Sequence, residues 1–343
     1  PNPIVKMGIA HISANKVVWI EEDENADQYT AWPFWAPDSK EMFYQVLNRD
    51  QNDLQILSAN PETGKNRLVY QEKNNTGVEV FEDIHILNNN KGFILRSELD
   101  GWRHLYYYDM NGKPKKQLTK GEWNVSDIKL VDEENERLYF EANKGERLET
   151  HLFVVDFDGD GIEQLTNIPG THKANVSPYG KYFYDTYSNI NAPGKLDLYN
   201  SDGDLIKNLG NRKSKIFDEY SLGKTEIFSI KTEDGFDLPA MWVLPADFDE
   251  NKKYPVLFAV YGGPGGTDVT NSFSAYQDRF FISQSGIIYF VVDHRGSAYF
   301  GRIGKNNMYR NMGKWEINDY TEAVKWLKTK SFIDSTKIGI TGS

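Results

Sequence analysis

A phrase of strands recurs along the first part of this chain. Leu105-Tyr106-Tyr107-Tyr108-Asp109, leading to Gln117-Leu118-Thr119, returns 47 residues later as Leu152-Phe153-Val154-Val155-Asp156, leading to Gln164-Leu165-Thr166. A second phrase, a Ser/Ala-Pro turn before an aromatic strand, occurs as Ala36-Pro37-Asp38-Ser39-Lys40-Glu41-Met42-Phe43-Tyr44 and again as Ser177-Pro178-Tyr179-Gly180-Lys181-Tyr182-Phe183-Tyr184. From Asn2 to about Gly210 the chain consists of short runs of Tyr, Phe, Val, Ile and Leu broken by Gly, Asn, Asp and Pro, with no helical run, which is the pattern of an all-β domain. A four-stranded unit recurring every ~40 to 50 residues has the period of a propeller blade, and about 210 residues hold four to five of them. Blades bury their faces only against neighbouring blades. Residues 1–210 therefore read as the C-terminal part of a β-propeller whose remaining blades lie upstream of Pro1.

After Gly210 the pattern changes. Glu226–Ile230 and Leu238–Leu244 alternate as an antiparallel pair about Glu233-Asp234-Gly235, and Tyr254–Tyr261 is a continuous apolar strand closing on Gly262-Gly263-Pro264-Gly265-Gly266. A helix is predicted over Ser274–Ser285, a strand over Ile287–Asp293, an amphipathic helix over Glu316–Lys328 with Tyr320, Ala323, Val324 and Leu327 on one face, and a last strand over Lys337–Ile340. Strands alternating with helices build a mostly parallel, doubly wound sheet. Residues 211–343 thus read as the N-terminal part of an α/β-hydrolase domain.

Composition narrows the function. The 343 residues carry 39 Lys+Arg against 50 Asp+Glu, a net charge of -11, and no cysteine. An acidic chain lacks the basic stripe that phosphate neutralisation needs, so no nucleic-acid partner is expected. Lys113, Lys115 and Lys116, the densest basic group, suit a hairpin turn. Without cysteine there is no thiolate metal site and no cysteine nucleophile. No apolar run approaches the ~20 residues of a membrane helix, so no membrane span is expected. Asp156, Asp158, Asp160 and Gly161 imitate the start of a calcium loop, but Asn167 stands where the bidentate Glu belongs, and a polar turn is expected instead. The six His residues show no metal-ligand spacing. Neither metal nor cofactor is called for. Both ends, Pro-Asn-Pro and Thr341-Gly342-Ser343, read as cuts through a longer protein.

Parallel sheets display their chemistry at the carboxyl ends of the strands. Tyr261-Gly262-Gly263-Pro264 puts a phenol and close-approach glycines where an α/β hydrolase places part of its oxyanion hole. Ile338-Gly339-Ile340-Thr341-Gly342-Ser343 opens like a nucleophile elbow, G-x-S-x-G. Gly342 then occupies the first glycine position and Ser343 the variable one, so the nucleophile is the residue after Ser343. At Asp293-His294-Arg295, alternation argues against an Asp-His dyad and suggests that Asp293 pairs with Arg295 on one face.

Together with the propeller, the stretches Lys253-Tyr254-Pro255-Val256-Leu257, Val260-Tyr261-Gly262-Gly263-Pro264, Asp293-His294-Arg295-Gly296-Ser297-Ala298-Tyr299-Phe300-Gly301 and Gly313-Lys314-Trp315-Glu316-Ile317-Asn318-Asp319-Tyr320 resemble the prolyl oligopeptidase family of serine peptidases. Gly101-Trp102-Arg103-His104-Leu105-Tyr106 and Leu118-Thr119-Lys120-Gly121-Glu122-Trp123 resemble late blades of its dipeptidyl peptidase IV branch. The resemblance implies release of N-terminal Xaa-Pro or Xaa-Ala dipeptides from peptide substrates through an acyl-enzyme, with a Ser-Asp-His triad and Tyr261 as oxyanion donor. It also implies that the triad lies beyond Ser343 and the amine-binding glutamates upstream of Pro1, so that the given chain alone is inert. Glu21-Glu22 lacks the family context of those glutamates and reads as a solvated turn. A homodimer and a periplasmic or cell-surface location follow from the same resemblance. The alternatives are a prolyl tripeptidyl, acylaminoacyl or oligopeptidase specificity, or a propeller binding module without catalysis.

Overall fold

The computed structural model describes residues 5–213, 215–273 and 278–343. A two-stranded ladder, β1 (Gly8–His11) with β2 (Lys16–Trp19), precedes four antiparallel four-stranded sheets. The first blade comprises β3 (Gln28–Trp35), β4 (Met42–Asn48), β5 (Asp53–Ala59) and β6 (Asn66–Lys73). The second holds β7 (Ile84–Ile86), β8 (Phe93–Ser97), β9 (His104–Tyr108) and β10 (Pro114–Gln117). The third holds β11 (Val125–Asp132), β12 (Arg137–Ala142), β13 (His151–Asp156) and β14 (Glu163–Gln164). The fourth holds β15 (Thr171–Val176), β16 (Tyr182–Asn189), β17 (Ala192–Asn200) and β18 (Leu205–Asn211).

The cores of this part lie between the sheets. Leu54, Ile56, Phe93 and Leu95 pack between the first and second blades, and Leu105, Val125, Phe140 and Phe153 between the second and third. Leu152, Ala174 and Phe183 fill the next gap. The recurring phrase has two structural functions. The hydroxyl of Thr119 accepts the backbone N–H of Leu105 at 3.0 Å and lies 3.0 Å from His104 Nδ1. Thr166 does the same for Leu152 and His151, at 3.0 and 3.2 Å. The Gly of the phrase caps the hairpin before the last strand: Gly112, at φ +76°, presses on the preceding blade so closely that a Cβ there would lie 1.9 Å from the Val69 carbonyl oxygen. Only glycine fits both that conformation and that contact.

The second sheet is mixed. Its strands β19 (Thr225–Lys231), β20 (Asp237–Val243), β21 (Tyr254–Val260), β22 (Ile288–Val292) and β23 (Ile333–Gly342) lie in the order β19-β20-β22-β21-β23, with β22 and β23 parallel to β21 on either side. Helices α1 (Asp278–Gln284), α2 (Gly301–Met308) and α3 (Trp315–Lys328) accompany it. The predicted helix over 274–285 is observed from Asp278, and residues 274–277 lie outside the described residues. Phe258, Phe290, Ile288 and Leu238, all fully buried, form the core with Ala323 and Leu327 of α3. Together the sheets give a partial β-propeller of four-stranded blades followed by the beginning of an α/β-hydrolase sheet.

The acidic run Asp156–Gly161 lies in the hairpin between β13 and β14, closed by Asp160 N–H donating to Asp158 Oδ1 at 2.9 Å. Glu21 is exposed, but Glu22 is half-buried. Thr30 hydroxyl donates to Glu22 at 3.5 Å, and burial raises its carboxyl above the usual range, so the pair is less solvated than its sequence suggests.

Candidate active site

Because β21 and β23 run parallel side by side, their carboxyl ends emerge together. Val260 pairs with Gly342, Ser343 N–H donates to the Val260 carbonyl at 3.3 Å, and Gly262 N–H donates to the Ser343 carbonyl at 2.8 Å. Tyr261, Gly342 and Ser343 are thus brought to one place. Gly342 has φ +136°, and a Cβ would fall 1.8 Å from the Val260 carbonyl oxygen, so the strand can end this close to β21 only at glycine.

Tyr261 is half-exposed at the strand tip. Its ring lies over the glycines that follow: a Cβ on Gly263 would sit 2.7 Å from the phenol oxygen, and one on Gly266 2.6 Å from the ring. Its carbonyl accepts the Tyr320 hydroxyl of α3 at 2.8 Å. Farther along, Asp268 and Val269 N–H groups donate to the two oxygens of Asp293, each at 2.9 Å. Burial pushes the Asp293 carboxyl up to about 7 despite these two donors.

The expected Asp293–Arg295 pair does not form. Both residues follow the end of β22, where strand alternation no longer applies, and the Asp293 oxygens are taken by the loop. Arg295, 1% exposed, instead binds Asp319 through Nε at 3.0 Å and Nη2 at 2.6 Å, and Asp234 through Nη1 at 2.6 Å. Its guanidinium lies between the rings of Phe236 and Trp315, 4.3 and 4.4 Å from their centroids. His294 is buried, and Nδ1 accepts Gly296 N–H at 3.0 Å; burial lowers its basicity. Glu316, one turn before Tyr320, is buried beside Gly262. One of its carboxylate oxygens accepts Gly313 N–H, and the other has no hydrogen-bond partner among the described residues.

Sequence reading missed the contribution of α2. Arg302 donates to the carbonyls of Glu98 and Gly77 at 3.1 and 2.9 Å, and Lys305 bridges Glu79 and Glu98, each at 2.7 Å. These contacts bind the hydrolase part to the first two blades. Beside them opens a cavity of about 790 Å³ whose lining includes Glu79, Glu98, Arg103 and Arg302. No group of His, Asp or Glu among the described residues has the arrangement of a metal centre. Among the described residues no helix is long and apolar enough to cross a membrane.

Residues 1–194 match the family model described as the dipeptidyl peptidase IV N-terminal region. The chain belongs to the dipeptidyl peptidase IV family. Residues 271–343 match the prolyl oligopeptidase family, which fits the hydrolase sheet that carries Tyr261. Dipeptidyl peptidase 4 of Trichophyton equinum is 28% identical over 359 aligned residues, covering 99% of this chain and 46% of that protein, and the Trichophyton rubrum protein matches to the same extent. A crystal structure from Bacteroides ovatus, of a protein assigned as a dipeptidyl aminopeptidase IV, superposes with a TM-score of 0.89 at 30% identity, covering 98% of this chain and 51% of that one. The Porphyromonas gingivalis dipeptidyl peptidase 4 structure shares the fold, with a TM-score of 0.90 at 24% identity over 98% of this chain and 48% of that one. The chain spans about half the length of the dipeptidyl peptidases it matches.

Proposed function

We propose that the protein containing this chain is a serine exopeptidase that releases N-terminal Xaa-Pro or Xaa-Ala dipeptides through an acyl-enzyme. The observation that carries this reading is the convergence of two strand ends: Gly342-Ser343 hydrogen-bonds to the backbone beside Tyr261, where a nucleophile elbow and an oxyanion donor must meet. In this reading the nucleophile is the residue after Ser343. Its attack on the scissile carbonyl moves charge onto the carbonyl oxygen, and the Tyr261 hydroxyl donates to that oxygen as it becomes anionic. This reading places the triad after Ser343, and it expects no turnover from residues 1–343 by themselves. The family likeness further supports a homodimer and a periplasmic or cell-surface location, which sizing chromatography and cell fractionation would check.

The test is kinetic. With the full-length protein and an Xaa-Pro-anilide, Tyr261→Phe should lower the acylation rate roughly 10- to 1,000-fold, the scale of one oxyanion-hole donor. An unchanged rate would remove Tyr261 from the mechanism, and faster cleavage of longer blocked peptides would move the specificity to an endopeptidase or tripeptidyl type. A protein that binds peptides but cleaves none would be a binding module.

A further inference from the structure

The loop that follows Tyr261 does not stay within the hydrolase sheet. At Asn271 it enters the junction between the third and fourth blades, and every polar group of that residue finds a partner there. Its N–H donates to the Leu148 carbonyl at 2.8 Å, and its carbonyl accepts the Thr171 hydroxyl at 3.0 Å. Side-chain Oδ1 accepts Ile190 N–H at 3.0 Å, and Nδ2 donates to Glu149 Oε1 at 2.6 Å. Two residues on, Phe273 N–H donates to the Ser188 hydroxyl at 3.1 Å. Leu148 and Glu149 belong to the link between β12 and β13, Thr171 starts β15, and Ile190 lies in the turn between β16 and β17, so the socket has walls from both blades.

The socket is itself held from behind. Glu149 Oε2 lies 3.0 Å from His151 Nε2, and the His151 ring lies 4.7 Å from that of His172, which crosses the junction. His172 Nδ1 meets Asp185 at 2.6 Å, and both side chains are buried. The contacts run unbroken from Glu149 to Asp185 and tie the socket to both blades; one Asp185 oxygen has no hydrogen-bond partner among the described residues.

We propose that Asn271 is a positioning residue for the oxyanion tyrosine: by seating the 262–273 loop in the blade junction, it makes the propeller fix where the Tyr261 hydroxyl stands. This rests on the oxyanion role given to Tyr261 above. Within the hydrolase part the loop is moored by the Tyr320 hydroxyl at Tyr261, the Asp293 carboxyl at Asp268 and Val269, the Tyr299 hydroxyl at the Val269 carbonyl and the Gly296 carbonyl at Gly265 N–H. Asn271, with Phe273 N–H beside it, moors it to the propeller.

In the full-length protein, Asn271→Ala should raise amide hydrogen exchange across residues 262–273. It should lower kcat on an Xaa-Pro-anilide roughly 10- to 100-fold, the scale of a small misplacement of a catalytic group, with KM moving less than about 3-fold. In a Tyr261→Phe background the same substitution should cost little more, because both act through one hydroxyl. Asn271→Asp opposes two carboxylates and should lose as much as Asn271→Ala. Adding Glu149→Gln restores a donor facing an acceptor and should return kcat to within about 3-fold of the Glu149→Gln single variant. Unchanged exchange in Asn271→Ala would refute the mooring. Raised exchange with unchanged kcat, or a loss undiminished in the Tyr261→Phe background, would refute the positioning role. A wild-type protein without hydrolysis would overturn the peptidase reading and the positioning role with it, and hydrogen exchange would still show whether the loop is moored.

Discussion

Gly342 is the residue on which the geometry of the candidate site turns, since its missing side chain is what lets β23 end against the Val260 carbonyl. Gly342→Ala places a methyl carbon 1.8 Å from that oxygen in a left-handed conformation. The variant should lose on the order of 1–3 kcal/mol of stability from backbone strain alone, measured by urea unfolding, and, in the full-length protein, most of the proposed acylation rate. Unfolding curves that superpose on the wild type would contradict this. Asp293 makes a prediction in pH. Its carboxyl titrates near 7 in the fold, above its ordinary range, so the folded state holds a proton that the unfolded chain releases between about pH 4 and 7. Stability from this group is complete below pH 4 and is lost as pH rises through 7. Wild-type protein should therefore lose more stability than Asp293→Asn between pH 4 and 8, and a difference independent of pH would refute the assignment.

Among elements, α3 is tied to the sheet by ions rather than by its apolar face alone. Asp319 is fully buried and finds its positive partner in Arg295. Arg295→Met should destabilise the hydrolase part by about 3–5 kcal/mol in denaturant titrations, because it leaves a carboxylate unpaired in the interior. Arg295→Lys should not rescue it, since an ammonium cannot span Asp234 and Asp319 in one plane. The partners of Arg295 come from a turn 61 residues before it and a helix 24 residues after it, and nothing in local spacing announces either. What is local was readable. The strands follow from alternation, the blades from a phrase that marks its own period, and the placing of Tyr261 and of Gly342 each at the carboxyl end of a strand from the rule for parallel sheets; that these two ends adjoin is seen only in the structure. Helix α2 escaped because Gly301, Gly304 and Met308 are its buried residues. Two are glycines chosen for close approach, with a Cβ on Gly304 falling 2.1 Å from the Arg295 carbonyl oxygen, and a helix that packs by absence of side chains leaves no apolar period to detect. Asn271 escaped for a related reason, since a single polar residue in a loop shows its value only through partners up to 123 residues away in the chain.

At the scale of the whole molecule, the two parts are joined by a few dense contacts. Arg302 reaches Glu98, Gly77 and buried Glu72 at once. Arg302→Ala in the full-length protein should separate calorimetric unfolding into two transitions, one for each part, where the wild type unfolds in one. A single unchanged transition would mean that the parts are coupled elsewhere, with the Asn271 socket as the next place to look. That socket also orders events in time. Its walls, at residues 148–149, 171 and 188–190, leave the ribosome before the loop that fills it. A nascent chain therefore carries both walls of the receptor for the Tyr261 loop before the loop exists.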